Sequence, residues 1–142
     1  FAQHCDGYFS RTEKDFDLIK RDISNRGGGI VGIQEGENLV GYCIYINNLT
    51  HVEVVECVYD KSGTLLKLLS FVSRGKSYLE VQATLAENYK RLFPRAKRIV
   101  RPFMLARVND KELFERLFDI RIISAYSAFN AFDKPLFNRD FQ

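Results

Sequence analysis

The spacing of apolar residues along this chain changes period several times, and each change marks a new element. Thr12, with Asp15 three residues on, opens a stretch where Phe16, Ile19 and Ile23 recur at helical spacing, which predicts a capped helix of about three turns. Gly27–Gly28–Gly29 stops it. These glycines follow a helix and precede a strand, the reverse of the order a phosphate-cradling loop needs, so they read as a helix stop and connector. From Ile30 the period falls to two. Ile30–Gln34, Leu39–Ile46 and Val52–Val58 read as antiparallel strands, turned at Gly36–Glu37–Asn38 and again at Asn47–Asn48. Val40, Tyr42, Ile44 and Ile46 share one face of the second strand, and Leu39, Cys43 and Tyr45 share the other. Both faces are apolar, which predicts a central strand covered on both sides.

After Tyr59 the helical period returns. Ser62 is placed to cap a helix carrying Leu65, Leu68, Leu69 and Val72 on one stripe and ending at Gly75. Ser77–Thr84 alternates, with Leu79, Val81 and Ala83 inward. A strand that follows a crossover helix is expected to run parallel to the strand before it. A short helix with Leu85, Tyr89, Leu92 and Phe93 comes next, closed by Pro94. Lys97–Val108 reads as another strand, with Pro102 at an edge or bulge. Asn109 and Glu112 resemble a capping box for a helix carrying Leu113, Phe114 and Leu117. Ile120–Ala128 reads as a strand, and Phe129, Phe132, Phe137 and Phe141 follow without a firm period, expected to pack on their own sheet or on a neighbour.

Composition narrows the class. A chain of 142 residues that is 46% hydrophobic, with 12 Phe and no Trp, is long enough for one globular domain with a phenylalanine-rich core. The formal charge of +3 is too mild to argue for nucleic acid. Cys5, Cys43 and Cys57 show no C-x-x-C spacing, so no zinc site or disulfide framework is expected, only reduced thiols in a cytoplasmic protein. No apolar run reaches the roughly 18 residues of a membrane span. The chain begins at Phe1 rather than Met and is read as a piece of a longer protein.

The candidate chemistry is sparse. Glu53, Glu56 and Tyr59 lie on or near one strand, and Tyr89 on a later helix; carboxylates and a phenol can exchange protons, but only at the right distance and pKa. Solvated or interface-paired glutamates and a core Tyr89 are the plainer expectation. His4 and Cys5 lack a second pair at ligand spacing, His51 is expected exposed in a turn, and Cys57 small and buried; no metal is expected. Lys90, Arg91, Arg95, Lys97, Arg98, Arg101 and Arg107 fall within 18 residues that hold no acid. Arg95, Arg98 and Arg101 are its anion-binding candidates, although no aromatic platform for single strands accompanies them. A solvated face, or a seam against an acidic neighbour, is expected ahead of a nucleic-acid site.

The order helix, three antiparallel strands, helix, parallel strand, helix, strand is that of the GNAT acetyltransferase fold. The phrases GYCIYI, VEVVECVY and RPFMLARVNDKELFE, with Met104–Ala106–Arg107–Val108–Asp110 at a strand-to-helix passage and Arg11 before the first helix, resemble the central domain of the Eis-like (enhanced intracellular survival) N-acetyltransferases over roughly Arg11–Leu117. The resemblance implies an α+β, GNAT-like mixed sheet, an antiparallel meander followed by a parallel crossover, with helices on both faces. It implies a GNAT-like domain over 1–118 and, over 119–142, a tail that is a remnant or the start of a sterol-carrier-like domain. It also implies partners within the same protein: a catalytic GNAT domain that binds acetyl-CoA and the sterol-carrier-like domain. A homo-oligomer is compatible with it.

A cofactor-binding member carries a glycine-rich Arg/Gln-x-x-Gly-x-Gly/Ala turn between the fourth strand and the next helix, where backbone N–H groups hold the pyrophosphate. The equivalent stretch here, Val58–Thr64, has one glycine, no arginine, and Asp60. Ser62 and Gly63 are its remaining cofactor-binding candidates. The expectation is therefore a domain that binds no acetyl-CoA itself and shapes the acceptor pocket of its parent. The alternatives are an atypical stand-alone GNAT acetyltransferase with Glu53, Glu56 and Tyr89 as catalytic candidates, and a small anion- or RNA-binding module using Lys90–Arg107.

Overall fold

The computed structural model describes residues 5, 7–84, 87, 89–101, 105–132, 134 and 136–137. In chain order the elements are β1 (Gly7–Tyr8), α1 (Glu13–Asn25), β2 (Gly28–Glu35), β3 (Asn38–Asn47), β4 (His51–Tyr59), α2 (Ser62–Val72), β5 (Tyr78–Val81), α3 (Tyr89–Leu92), α4 (Lys111–Phe118), α5 (Ala125–Phe129) and β6 (Leu136–Phe137). They fall into two units, one within Ser10–Glu87 and the other within residues 5–9 and 89–137.

The Ser10–Glu87 unit is built on a four-stranded sheet of order β2-β3-β4-β5, antiparallel except for the parallel β4/β5 pair. The expected meander and parallel crossover are both present. Thr12 caps α1 as its spacing predicts: its hydroxyl accepts from Asp15 N, while the Asp15 carboxylate accepts from Thr12 N at 2.7 Å. α1 then buries Ile19 and Ile23 against Ile44 and Ile46 of β3, with Tyr42 and Val55 packed at the margin. The helix ends in a turn in which Gly27 takes φ +74°, a value L side chains resist. At Gly28 a Cβ would lie 2.0 Å from the Tyr45 carbonyl oxygen and 2.8 Å from the Ile23 side chain, so only glycine lets α1 sit this close to the sheet.

The other face is covered by α2, which packs on β3 and β4. Leu65, Leu68, Leu69 and Val72 are buried there, as are Val52 and Val54. Cys43 and Cys57, directly opposite each other on β3 and β4, are buried too. Their thiols are free. The hydrogen bond to Cys57, and after it burial, pushes the Cys43 thiol far above its ordinary range, which leaves it inert. β3 is thus the covered central strand that its two apolar faces predict. Two details differ from expectation. The N-cap of α2 is Lys61, with no side-chain cap, and Ser62 is the first helical residue. β5 stops at Val81, and Ala83 is exposed, with no partner strand beside it among the described residues.

In the second unit β1 pairs in parallel with β6, and among the described residues α3, α4 and α5 carry most of the regular structure. Residues 97–101 and 105–108 form no strand, contrary to the alternation of Ile99, Val100 and Leu105. All three are exposed, because no neighbouring strand among the described residues offers a ladder to pair with. Pro102 and Phe103 lie outside the described residues. The cap of α4 is Asp110 rather than Asn109: its carboxylate accepts from Leu113 N at 2.8 Å. Within Ile120–Ala128, expected as a strand, Ser124 instead caps α5 in a reciprocal box with Ser127. Phe132 packs edge-on against Phe118 at 5.3 Å, so part of the aromatic tail has found a partner within its own unit.

Candidate functional site

β3 and β4 pair in steady register until Ile44 faces Glu56 and Tyr45 faces Val54. Val55 is therefore an extra residue on β4, a bulge that changes which side each later residue faces. The parallel pairing of β4 with β5 stops at the same place, at Val54 opposite Val81, with Gln82 N donating to the Val54 carbonyl at 3.0 Å. Beyond it, no strand among the described residues pairs with β4 on that side up to Tyr59. Because Asp60 N donates to the Val40 carbonyl at 3.0 Å, hydrogen-bonded pairs with β3 fall on Asp60, Val58 and Glu56. The main chain of Cys57 and Tyr59 consequently faces the side that β5 has left.

α2 starts two residues beyond this strand end. Thr64 N and Leu65 N both donate to the Lys61 carbonyl, whereas Ser62 N and Gly63 N have no backbone acceptor among the described residues. A Cβ at Gly63 would meet nothing within 4 Å, so the helix end is open there. The opening is not neutral. The Asp60 carboxylate accepts from the Thr64 hydroxyl at 2.5 Å and lies 3.6 Å from Lys61 Nζ, which also reaches Glu35 at 3.4 Å. The Thr64 hydrogen bond, then the Lys61 charge, holds Asp60 below the usual carboxylate range, and Asp60, with Glu35, raises Lys61. A fixed negative charge stands at the positive end of the helix.

Of the acid and base candidates, Glu56 is the most deeply buried. It is fully buried, and both oxygens are occupied: Oε1 accepts from Arg11 Nη1 at 2.7 Å and from Tyr42 OH at 2.6 Å, and Oε2 accepts from Arg11 Nη2 at 2.9 Å. Arg11, itself only 9% exposed at its side chain, also lies 5.9 Å from the centre of the Phe16 ring. Burial, and then the Glu56 charge, pushes the Tyr42 hydroxyl well above its ordinary pKa. Glu56 is thus neither solvated nor facing the open edge; it pairs with the residue that leads into α1. Arg11 and Glu56 stand 45 positions apart, and no spacing rule could have joined them.

Glu53 accepts from Gln82 Nε2 at 2.8 Å in an exposed pair. Tyr59 donates to Glu87 Oε1 at 3.4 Å, and Glu87 in turn accepts from Thr84 N at 2.8 Å. His51 is not in a turn. It opens β4, half-buried, with its ring stacked on Tyr78 at 4.8 Å and Nε2 3.1 Å from Asn48 Nδ2, because the parallel register sets His51 opposite Tyr78. Tyr89 belongs to the other unit, where it is half-buried and stacked on Phe93 at 6.1 Å. Lys90, Arg91, Arg95, Lys97, Arg98, Arg101 and Arg107 are all exposed in that unit. Among the described residues no group of three or more His, Cys, Asp or Glu could hold a metal ion, and no helix is long and apolar enough to cross a membrane. His4 lies outside the described residues.

No family model matches this chain, and none of the curated proteins does. Among solved structures, the crystal structure of a probable acetyltransferase aligns with a TM-score of 0.50 over 72% of this chain and 83% of that one, at 10% identity. The fold is GNAT-like. At that identity the likeness is one of fold. In a GNAT-like fold the passage from β4 to α2 is where acetyl-CoA would rest its pyrophosphate, and the residues here fit it poorly. One glycine stands where the family turn has several, no arginine is present, and the ionised Asp60 occupies the end of the helix that would attract phosphate.

Proposed function

We propose that this chain is a GNAT-like domain that does not itself hold acetyl-CoA and instead supports, and shapes the acceptor pocket of, a catalytic GNAT domain in an Eis-like N-acetyltransferase. The observation that carries this reading is Asp60, an ionised carboxylate tied by Thr64 and Lys61 to the one place where the fold would receive a pyrophosphate. The engagement of both Glu56 oxygens supports it, since that carboxylate is already committed to Arg11 and Tyr42. The Eis-like assignment rests on the short phrases quoted above; Met104, within one of them, lies outside the described residues.

Calorimetric titration with acetyl-CoA tests the reading directly. The expected outcome is no saturable heat at millimolar cofactor and no acetylation of a model amine. Micromolar, saturable binding would overturn it and favour a second reading, an atypical acetyltransferase. That reading has its own observation: the open N–H groups of Ser62 and Gly63 beside a strand edge that β5 has left. It requires that Gly63→Pro, which removes one N–H in the first turn where proline is tolerated, weaken binding.

A further inference from the structure

Within the second unit, α4, α5, Phe132 and the segment 106–110 surround an open cleft of about 610 Å³, a size typical of sites that take one small ligand. Leu113, Phe114, Leu117 and Phe118 line it from α4, joined by Phe129 and Phe132. Its charged and amide side chains, Arg107, Asn109 and Asp110, all belong to the segment that leads into the first turn of α4. Asp110 is already committed: its carboxylate accepts from Leu113 N and faces the positive end of α4. Arg107 is exposed and makes no hydrogen bond or ion pair among the described residues.

We infer that this cleft binds a single-chain amphiphilic anion, with its aliphatic tail among the leucine and phenylalanine side chains and its carboxylate on Arg107. One polar segment and one apolar body match the two parts of a fatty acid. A peptide segment fits less well. Its main chain would bring an amide group every residue into a cleft whose charged and amide side chains, among the described residues, all stand on the 107–110 segment, and each unpaired amide is costly. The site is separate from the β4–α2 passage, and the inference does not depend on the proposed function.

The test uses the whole chain and monomeric fatty acids below their micelle thresholds, followed by calorimetry. Octanoate, decanoate and dodecanoate should bind one to one, each added methylene tightening binding by about fourfold until the cleft is filled. Decanol should bind about fivefold more weakly than decanoate, and Arg107→Gln should remove that difference while leaving decanol unchanged. Leu117→Asp, at a position 68% exposed, should weaken both. Absence of saturable binding, equal affinities for decanoate and decanol, or an unaltered preference in Arg107→Gln would overturn the assignment. So would binding confined to vesicles of anionic phospholipid, which would point to a surface rather than a cleft.

Discussion

The two faces of the four-stranded sheet are closed by different chemistry. Towards α2 the contact is apolar throughout its centre: Leu65 and Leu68 are fully buried, as are Val52, Val54 and Cys43. Towards α1 a smaller isoleucine cluster sits beside a buried ion pair, Arg11 with Glu56, extended by Tyr42. The apolar face gains stability from every contact and tolerates loss of any one in proportion to the volume removed. The ionic face behaves otherwise, because a buried charge is tolerable only while its partner is present. It therefore contributes more to holding one arrangement, with the chain before α1 locked against β4, than to net stability.

That contrast predicts a ranked series. Arg11→Ala leaves the Glu56 charge buried without its partner and should destabilise the fold by about 3–5 kcal/mol in urea unfolding, whereas Arg11→Met with Glu56→Leu should recover most of the loss. If the single and double variants are equally unstable, the ionic face is not governed by charge. Leu68→Ala, on the apolar face, should cost about 3 kcal/mol, with no dependence on salt or pH. Tyr42→Phe removes one hydrogen bond to a carboxylate and should cost about 1–2 kcal/mol at neutral pH.

Titration sharpens the comparison further. The folded state raises the Tyr42 pKa, so it favours the protonated phenol; stability should be undiminished below the ordinary tyrosine range of about 10 and fall as pH rises above it. A pH series of unfolding midpoints should show that alkaline loss in the parent and a smaller one in Tyr42→Phe. The least effect is expected at Asp15, whose pKa is lowered by the backbone and side-chain hydrogen bonds of Thr12. Its contribution is present above the usual carboxylate pKa and lost as pH falls below it, so Asp15→Asn should flatten the acid limb of the same series without moving the alkaline one.

How much of this could be read from residue order follows the range of the interactions. The Thr12/Asp15 box, the glycine stop, the meander and the α2 leucine stripe depend on neighbours within a few positions, and each was legible. The failures came where a local pattern met a distant or missing partner. Ile99, Val100 and Leu105 look like a strand but join no ladder among the described residues. Ile120–Ala128 looks like a strand because it is rich in isoleucine, yet Ser124 and Ser127 satisfy the first N–H groups of a helix instead. Of the candidate site, the β4–α2 passage and its misplaced Asp60 were visible in the string of letters. The burial of Glu56 was not, since it depends on Arg11 arriving from the far end of the unit.

The bulge at Val55 also marks the place in β4 where chain length is free to change. Val54 faces α2 and Glu56 faces α1, two positions apart, because Val55 between them is an extra residue against β3. Deleting Val55 would leave Val54 and Glu56 adjacent on opposite faces, the ordinary alternation of a strand, with every other residue of β4 on the side it now holds. Lineages descended from this sequence should therefore lose a residue at Val55 more readily than elsewhere in β4, a bias that would show in gap positions rather than in residue identities.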